Sequence, residues 1–383
     1  MVEKDICTGC MVCVNKCPVK CVRESEDDLG FHFPNKNMSE CIDCGLCTKV
    51  CHACEKLSKK GSKNAATNTN AYYAAYILDE DSRGTSSSGG IFTALANAVL
   101  DVGGVVYGAS MSKDFQNVEH IRIDCKDQLT KIQGSKYISG TIDHAIYTDV
   151  EQQLGKKRTV LFSGTPCQIS ALKAFLMKPY DNLYLVDVLC HGVPSPKVWR
   201  KYLEYREKQA CSTVVNVEFR NKRKGWKHYS LVMTFCNGRE YRSIHSDDLY
   251  LTGFLSNLYL REGCFNCQYR NERTESDITL GDYWHIESAV SEWDDDRGVS
   301  WVHIQTEKGG KLYDKALPSI DSKKIDFNLA ARQKTYDQNI RRNPQAASFK
   351  KDFLTMDIND VLRKYCSVPW KIRIKKKLWR ILH

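Results

Sequence analysis

From about residue 71 onward, short apolar runs alternate along the chain with longer segments whose apolar residues recur at helical spacing. The runs have the length of buried strands, and the periodic segments have the length of helices. The pattern predicts strands over 72–78, 105–109, 158–162, 183–189 and within 277–284, and helices over 91–100, 169–177 and 248–260. Such alternation is typical of an α/β domain.

Two other segments have different patterns. Residues 213–245 alternate like antiparallel strands, with Asn237-Gly238 as the hairpin turn. Residues 57–70 are polar and poor in large apolar side chains, which indicates a linker. We therefore predict a small first domain over 1–56, the linker 57–70, an α/β domain with an antiparallel β portion over 71–320, and a helical carboxyl-terminal region over 321–383.

The cysteine content adds a chemical function to this predicted fold. The chain has 383 residues, enough for two or three domains, and its 42% hydrophobic and 27% charged content is ordinary for a soluble protein. Eighteen cysteines without a secretory signal or a transmembrane run point to metal or redox chemistry in the cytoplasm rather than to disulfides. The net charge of +10 favours acidic partners such as an electron-carrier protein, whereas no nucleic-acid-binding module is found.

Two cysteine runs of one form stand 34 positions apart near the start of the chain. In such runs three close cysteines bind one four-iron (4Fe-4S) cluster, and the fourth cysteine reaches the neighbouring cluster. The expected ligands are Cys7, Cys10, Cys13 and Cys51 for the first cluster, and Cys41, Cys44, Cys47 and Cys17 for the second. Zinc is the alternative, but it leaves the third cysteine of each run unexplained. The runs resemble the bacterial two-cluster ferredoxin domain, which implies an α+β ferredoxin-like fold for residues 1–56; His52 departs from the usual proline.

Four later cysteines form a second candidate site. Cys167 and Cys190 each follow a predicted strand, and Cys264 and Cys267 form a Cys-x2-Cys pair. Because open α/β sheets present binding groups at the carboxyl ends of strands, the four thiolates suggest a third cluster. Four buried or zinc-binding cysteines are the alternative. Of the six remaining cysteines, most are interpreted as apolar core positions; they are Cys21, Cys54, Cys125, Cys211, Cys236 and Cys366.

Two turns carry candidate residues for an anionic group. The turn Ser87, Ser88, Gly89 and Gly90 precedes the helix predicted over 91–100, and a helix start with glycines admits a phosphate. A plain capped helix is the alternative. The second turn contains Ser135, Lys136 and Tyr137, which can hold a phosphate and a ring edge or can simply face solvent. The first turn follows neither the dinucleotide fingerprint nor the P-loop fingerprint.

Six ordered motifs between 71 and 304 resemble the beta subunit of hydrogenases and dehydrogenases that use coenzyme factor 420, a deazaflavin. The motifs lie at 87–92, 134–137, 164–168, 190–196, 264–267 and 277–282. The resemblance implies a flavin and iron-sulfur domain with FAD, and it favours Cys167, Cys190, Cys264 and Cys267 as cluster ligands. It also implies flavin contacts from Ser87, Ser88, Gly89, Gly90, Ser135, Lys136, Tyr137, Gly164 and Thr165. His285 departs from the family, where a glycine is usual.

The expected function is that of an iron-sulfur flavoprotein oxidoreductase. Electrons are expected to come from a ferredoxin or another acidic carrier and to reach an organic or sugar-derived acceptor through FAD. The alternatives are an electron-transfer subunit of a larger hydrogenase or dehydrogenase complex, and a reductase or oxidase of the deazaflavin itself. The basic amphipathic tail over 370–383 predicts either peripheral contact with the inner face of a membrane or a helix packed on its own domain.

Overall fold

The computed structural model describes residues 2–54, 70–270, 273–331 and 340–367. Its strands are β1 (Val22–Glu26), β2 (His32–Lys36), β3 (Ala71–Ile77), β4 (Val105–Met111), β5 (Val118–Ile123), β6 (Val160–Gly164), β7 (Leu183–Val188), β8 (Val214–Asn221), β9 (Ser230–Phe235), β10 (Glu240–Ile244), β11 (Ile278–Asp282), β12 (Ser300–Ile304) and β13 (Ile320–Ile325). Its helices are α1 (Val12–Asn15), α2 (Leu46–Lys49), α3 (Glu80–Thr85), α4 (Ile91–Leu100), α5 (His144–Gly155), α6 (Pro166–Leu176), α7 (Pro196–Ala210), α8 (Leu249–Leu255), α9 (Glu307–Ala316), α10 (Phe327–Ala330), α11 (Ala346–Phe353) and α12 (Ile358–Cys366).

The main domain, from residue 70 onward, is built on a mixed sheet with the strand order β13-β3-β12-β11-β7-β6-β4-β5. The central strands β11, β7, β6 and β4 pair in parallel, and the outer strands pair antiparallel. Parallel neighbours end at the same edge of a sheet. The segments that follow β6, β7 and β11 therefore emerge side by side.

Alternating residues of the central strands pack into two separate cores. On β6, Leu161 faces the core made with α4 and α9, whereas Val160 and Phe162 face the core made with α5 and α6. This period of two is expected for strands that are covered by helices on both faces. The sheet is thus the middle layer of three.

A second, antiparallel sheet of order β10-β9-β8 lies beside the main one. It shares a core with α7, α8, α11 and α12, and the large buried rings of Trp199, Tyr202 and Tyr250 lie at its centre. The turn between β9 and β10 contains Gly238 with a left-handed φ of +77°. The hairpin predicted at this position is therefore confirmed.

The amino-terminal module, residues 2–54, repeats one backbone shape at a spacing of 34 residues. Helices α1 and α2 are related by this spacing, and each starts after a residue in the left-handed conformation, Met11 in one case and Gly45 in the other. Gly9 and Asp43, two positions earlier, are also left-handed. The antiparallel hairpin β1–β2 joins the two halves. The repeated cysteine spacing therefore corresponds to a repeated loop geometry.

The α/β architecture with its antiparallel part confirms the predicted fold of the main domain. The helix predicted over 91–100 is α4, with the same bounds. The helix predicted over 248–260 is wrong in length, because it ends at Leu255 and Asn257 turns left-handed with a φ of +62°. The predicted linker and the amphipathic tail lie almost entirely outside the described residues. Among those residues, no helix has the length and apolarity needed to cross a membrane.

Candidate functional site

The first thiol set consists of Cys7, Cys10, Cys13 and Cys51, and all four line one cavity of the amino-terminal module. Burial and then the neighbouring Cys10, Cys51 and Cys7 raise the pKa of Cys13 to about 12. Burial likewise raises the pKa of Cys10 to about 11. Buried thiols that disfavour one another's ionisation become good ligands when a cation is present to compensate the charge. Cys51 thus joins three cysteines of the other run.

The second thiol set consists of Cys17, Cys41, Cys44 and Cys47. Three of them pack in one apolar cluster with the buried Cys21, and only Cys44 of the four is exposed. The backbone N–H of Asp43 donates to Cys41 Sγ at 3.2 Å, and this bond is the main reason that the pKa of Cys41 is lowered. Cys17 of the first run therefore lies with cysteines of the second run.

The third thiol set consists of Cys167, Cys190, Cys264 and Cys267, which come from three separate parts of the main domain. Cys167 is the second residue of α6 after strand β6, and Cys190 follows β7. Burial and, to a smaller extent, the other cysteines of the set raise the pKa of Cys167, Cys190 and Cys264 to about 12 each. The ends of the parallel strands β6 and β7 place Cys167 and Cys190, and a separate turn before β11 brings Cys264 and Cys267 to them.

Within the described ranges, no three Cys, His, Asp or Glu side chains converge as they would on a single metal ion. The other cysteines correct one prediction. Cys21 and Cys366 are buried as expected, but Cys125, Cys211 and Cys236 are exposed and do not belong to an apolar core. Residue type alone favours an apolar core position for cysteine, and nothing in the neighbouring sequence opposes that interpretation.

Two tyrosines lie between the first and third thiol sets. Tyr147 is fully buried and donates from its hydroxyl to Cys10 O at 3.1 Å. Burial raises the pKa of Tyr269, and the thiolates of Cys167 and Cys10 raise it further, so this ring adjoins both sets. Its centroid lies 5.0 Å from that of His52. Sequence reasoning missed both tyrosines; only the unusual His52 marked this region.

A buried arginine joins the amino-terminal module to the main domain. Arg261 is 3% exposed, and its Nε donates to Cys7 O at 2.9 Å while Nη2 donates to His32 O at 2.6 Å. Its guanidinium also lies 4.4 Å from the ring centroid of Phe33. No motif in the sequence marks this residue, because its partners lie more than two hundred positions away.

The two candidate flavin-binding turns contact each other. Ser87 Oγ accepts hydrogen bonds from the backbone N–H of Ser135 at 2.7 Å and from Ser135 Oγ at 2.8 Å. Lys136 Nζ donates to Gln133 O at 2.6 Å, and burial lowers the pKa of this amine to about 7. The Tyr137 hydroxyl accepts from Arg220 at 3.1 Å. The hydroxyls of Ser87 and Ser135 and the buried amine of Lys136 are thus brought together near the start of α4.

Close packing accounts for part of the glycine pattern in the first turn. A Cβ at Gly89 would lie 2.5 Å from Ala75 O, and Gly90 has a left-handed φ of +85°. The Ser88 hydroxyl donates to Val299 O at 2.8 Å, so Ser88 ties the turn to the strand β12 region. Gly89 and Gly90 are therefore required by packing whether or not an anion binds here.

Gly164 and Thr165 lie at the carboxyl end of β6, next to the third thiol set. The Thr165 hydroxyl lies 3.2 Å from Cys167 Sγ, and its backbone N–H donates to Gln168 Oε1 at 2.9 Å. Burial and, to a smaller extent, the positive charge of Lys136 lower the pKa of the nearby His120 to about 4. His120 also lies 3.0 Å from Ser163 O. The carboxyl end of β6 and the turn that carries Lys136 are thus close enough for a charge in one to affect groups in the other.

An ion pair between Arg220 and Asp282 lies next to the turn that carries Tyr137. Arg220 contacts both carboxylate oxygens of Asp282 at 2.8 and 2.9 Å, and the Trp226 indole N–H donates to Asp282 at 2.9 Å. Trp226 stacks on Trp284 with ring centroids 4.5 Å apart. His285, the departure from the family pattern, is left-handed with a φ of +66° and exposed. Asp282 is therefore occupied by structural partners.

The fold is that of a mixed α/β domain with a cysteine-rich amino-terminal module. Residues 72–146 match the family model of the coenzyme F420 hydrogenase/dehydrogenase beta subunit amino-terminal part, and residues 157–328 match that of its carboxyl-terminal part. The chain belongs to this family, which is one of oxidoreductases.

Two further comparisons concern individual proteins. A chain of the F420-reducing NiFe hydrogenase complex from Methanosarcina barkeri is 17% identical, with a TM-score of 0.47, and the match covers 79% of this chain and 93% of that one. An uncharacterised protein of Porphyra purpurea, described by its place in the rpl9-rpl11 intergenic region, is 40% identical over 50 residues. That stretch is 12% of this chain and 63% of the relative.

Proposed function

We propose that this chain is an iron-sulfur flavoprotein oxidoreductase. Electrons from a ferredoxin or another acidic carrier enter at the amino-terminal module and leave the main domain to an organic or sugar-derived acceptor. Bound clusters supply one-electron transfer, and bound FAD supplies the exchange between single electrons and pairs. The observation that carries the proposal is that the loop of the first thiol set contacts the turn that leads into the third: Arg261 Nε donates to Cys7 O at 2.9 Å, and a Cβ built at Gly263, next to Cys264, would lie 3.0 Å from the same oxygen.

The chemistry of the donor sets fits clusters. Each set contains four thiols, and the first lines one cavity. Hydrogen bonds from the backbone to sulfur, such as Asp43 N–H to Cys41 and Val193 N–H to Cys264 at 3.5 Å, are typical of cluster ligands. The residues that would hold FAD are Ser87, Ser88, Gly89, Gly90, Ser135, Lys136, Tyr137, Gly164 and Thr165; Ser87 contacts Ser135, and Thr165 contacts Cys167 of the third set.

Cofactor content tests the proposal directly. The full-length protein is reconstituted anaerobically with iron, sulfide and FAD, and bound iron and flavin are measured. About twelve irons and one FAD per chain are expected for three four-iron clusters. About four irons without flavin would end the three-cluster version. Zinc in place of iron after expression in iron-replete cells would end it as well.

The pKa of Lys136 provides a separate test of the flavin site. With a pKa of about 7 this amine is charged below that pH and neutral above it, so it attracts a phosphate only on the acid side. FAD affinity should therefore fall about tenfold between pH 6 and pH 8.5, since a charge-assisted hydrogen bond contributes roughly 1.5–3 kcal/mol. Fluorescence titration measures this.

The matched control for that test is Lys136→Arg, because arginine stays charged over the whole range and should remove the pH dependence. Lys222 has a pKa of about 7 as well, lowered by burial and then by Arg220, and it donates to Ser88 O at 2.8 Å. Lys222→Gln therefore shows whether this second amine contributes. An affinity of the unaltered protein that does not change with pH would contradict a role for Lys136 in binding phosphate.

A second candidate function is that of an electron-transfer subunit. The family name is that of a beta subunit, which favours a stable partner chain. Native mass and affinity capture from the source cell distinguish the two: a stoichiometric partner supports the subunit, and a lone chain that reduces an added acceptor supports the self-contained reductase. Including the deazaflavin in the panel of acceptors tests whether it is the substrate.

A further inference from the structure

We propose that the three thiol sets act in a fixed order, second to first to third, and that Tyr147 and Tyr269 position the first set against the third. This inference rests on the proposed function, which supplies the clusters. Bound clusters would supply one-electron transfer from set to set, with the electrons coming from the ferredoxin-type carrier, and two such transfers would supply the electron pair that FAD takes up with protons from solvent.

The first set faces the third through backbone contacts. Gly263 precedes Cys264, and a Cβ built at Gly263 would lie 3.0 Å from Cys7 O. Arg261, at the start of the same turn, donates to that oxygen at 2.9 Å. Asn266 Nδ2 donates to Asp5 O at 3.4 Å. The turn that carries Cys264 and Cys267 is therefore seated on the loop that carries Cys7.

Packed side chains fill the remaining space between these two sets. Tyr147 lies on α5, stacks on Phe175 of α6 at 4.9 Å between ring centroids, and bonds to the Cys10 carbonyl. Val12 and Val50 of the module pack into the same core. Tyr269, 3% exposed, covers the other side together with His52. A close-packed core holds its neighbours at fixed distances, so the separation of the two sets is set by these rings.

The second set lies on the outer side of the module. Cys44 is exposed, and Met38 and Ile42 on either side of Cys41 are 69% and 62% exposed. The link from this set to the first is internal: Cys47 lines the cavity of the first set, and Cys13 packs in the apolar cluster of the second. The first set is thus between the exposed set and the main domain.

Magnetic coupling between reduced clusters tests the order. In the full-length reconstituted protein, Cys44→Ala removes the second cluster and leaves the first and third, which should broaden each other's electron paramagnetic resonance signals. Cys10→Ala removes the first cluster and should leave two unbroadened signals. Broadening that survives Cys10→Ala and vanishes in Cys44→Ala would overturn the order. If the unaltered protein binds fewer than three clusters, the proposed function fails with it; if it binds three, only the order is at issue.

The tyrosines are tested by the same signal at full iron content. Tyr269→Leu should weaken the broadening between the first and third clusters, because it removes the ring between them. Tyr147→Phe, which loses only the bond to Cys10 O, should weaken it less. The control Tyr313→Phe lies in the core on the opposite sheet face and should leave the signal unchanged. Unaltered broadening in both Tyr269→Leu and Tyr147→Phe would show that the rings have no positioning role.

Discussion

The two cysteine runs share a spacing and a backbone geometry, yet their surroundings differ. Left-handed residues occur at positions 9 and 11 of the first run and at 43 and 45 of the second, and a short helix follows each. Cys7 and Cys13 are only 8% and 9% exposed, whereas Cys44 is exposed. Local sequence therefore determines how each loop turns, and distant parts of the chain determine what covers it.

The largest difference between the halves is expected on removing the cysteine that each run donates to the other. Cys51→Ala and Cys17→Ala should each bind about eight irons in place of about twelve. Cys51→Ala should lower the thermal midpoint further, because the first set supports the contact with the main domain and metal-binding energy is folding energy. Iron analysis and calorimetry measure both. Equal falls in the midpoint would mean that the two halves are equally independent of the main domain.

Two arginines provide a smaller test of the difference between the surroundings of the two cysteine runs. Arg261→Ala leaves the carbonyls of Cys7 and His32 without their buried donor and should cost about 3 kcal/mol of unfolding free energy. Arg23, beside the second run, is 66% exposed and pairs with Glu40 at 2.8 Å. Arg23→Ala should change stability by about 0.5 kcal/mol or less, as exposed pairs do. Urea unfolding measures the free energy of unfolding of both variants. Equal losses of free energy would contradict a stabilising role for the buried Arg261 contact.

The strands and helices of the main domain could be predicted because their apolar periodicity is local. The membership of each thiol set could be proposed for a similar reason, since cysteine spacing and strand ends are visible in one sequence. Tyr147, Tyr269 and Arg261 could not be found, because a buried polar residue is recognisable only by partners that are remote in the chain. The exposed Cys125, Cys211 and Cys236 show the converse: residue type alone does not establish burial.

The net charge of the whole chain likewise does not show which part of the molecule carries that charge. A charge of +10 favours an acidic partner, but residues 1–54 contain eight acidic and six basic side chains. Six basic and no acidic residues lie within 368–383, outside the described residues. The positive charge is therefore not carried by the module proposed to receive electrons. Docking of a donor there should depend on the exposed Met38 and Ile42 more than on salt.

The smallest effect concerns one glycine in each of the two loops. Gly9 and Gly45 both have left-handed φ angles, +73° and +69°, and alanine there costs about 1 kcal/mol from the backbone alone. A Cβ at Gly9 would also lie 2.6 Å from the Arg261 guanidinium, whereas one at Gly45 would meet nothing within 4 Å. Gly9→Ala should therefore cost about 2 kcal/mol or more, and Gly45→Ala about 1 kcal/mol.

The glycine comparison can be made decisive with a double variant. If Gly9→Ala acts by displacing Arg261, its cost and that of Arg261→Ala come from one contact, and the double variant should lose less than the sum of the two. Combining Gly45→Ala with Arg261→Ala should instead give an additive loss, since no shared partner connects them. Chemical unfolding of the three single and two double variants provides the comparison. Additivity in both pairs would mean that the first loop is no closer to the main domain than the second, and the proposed hand-over from the first set would lose its structural basis.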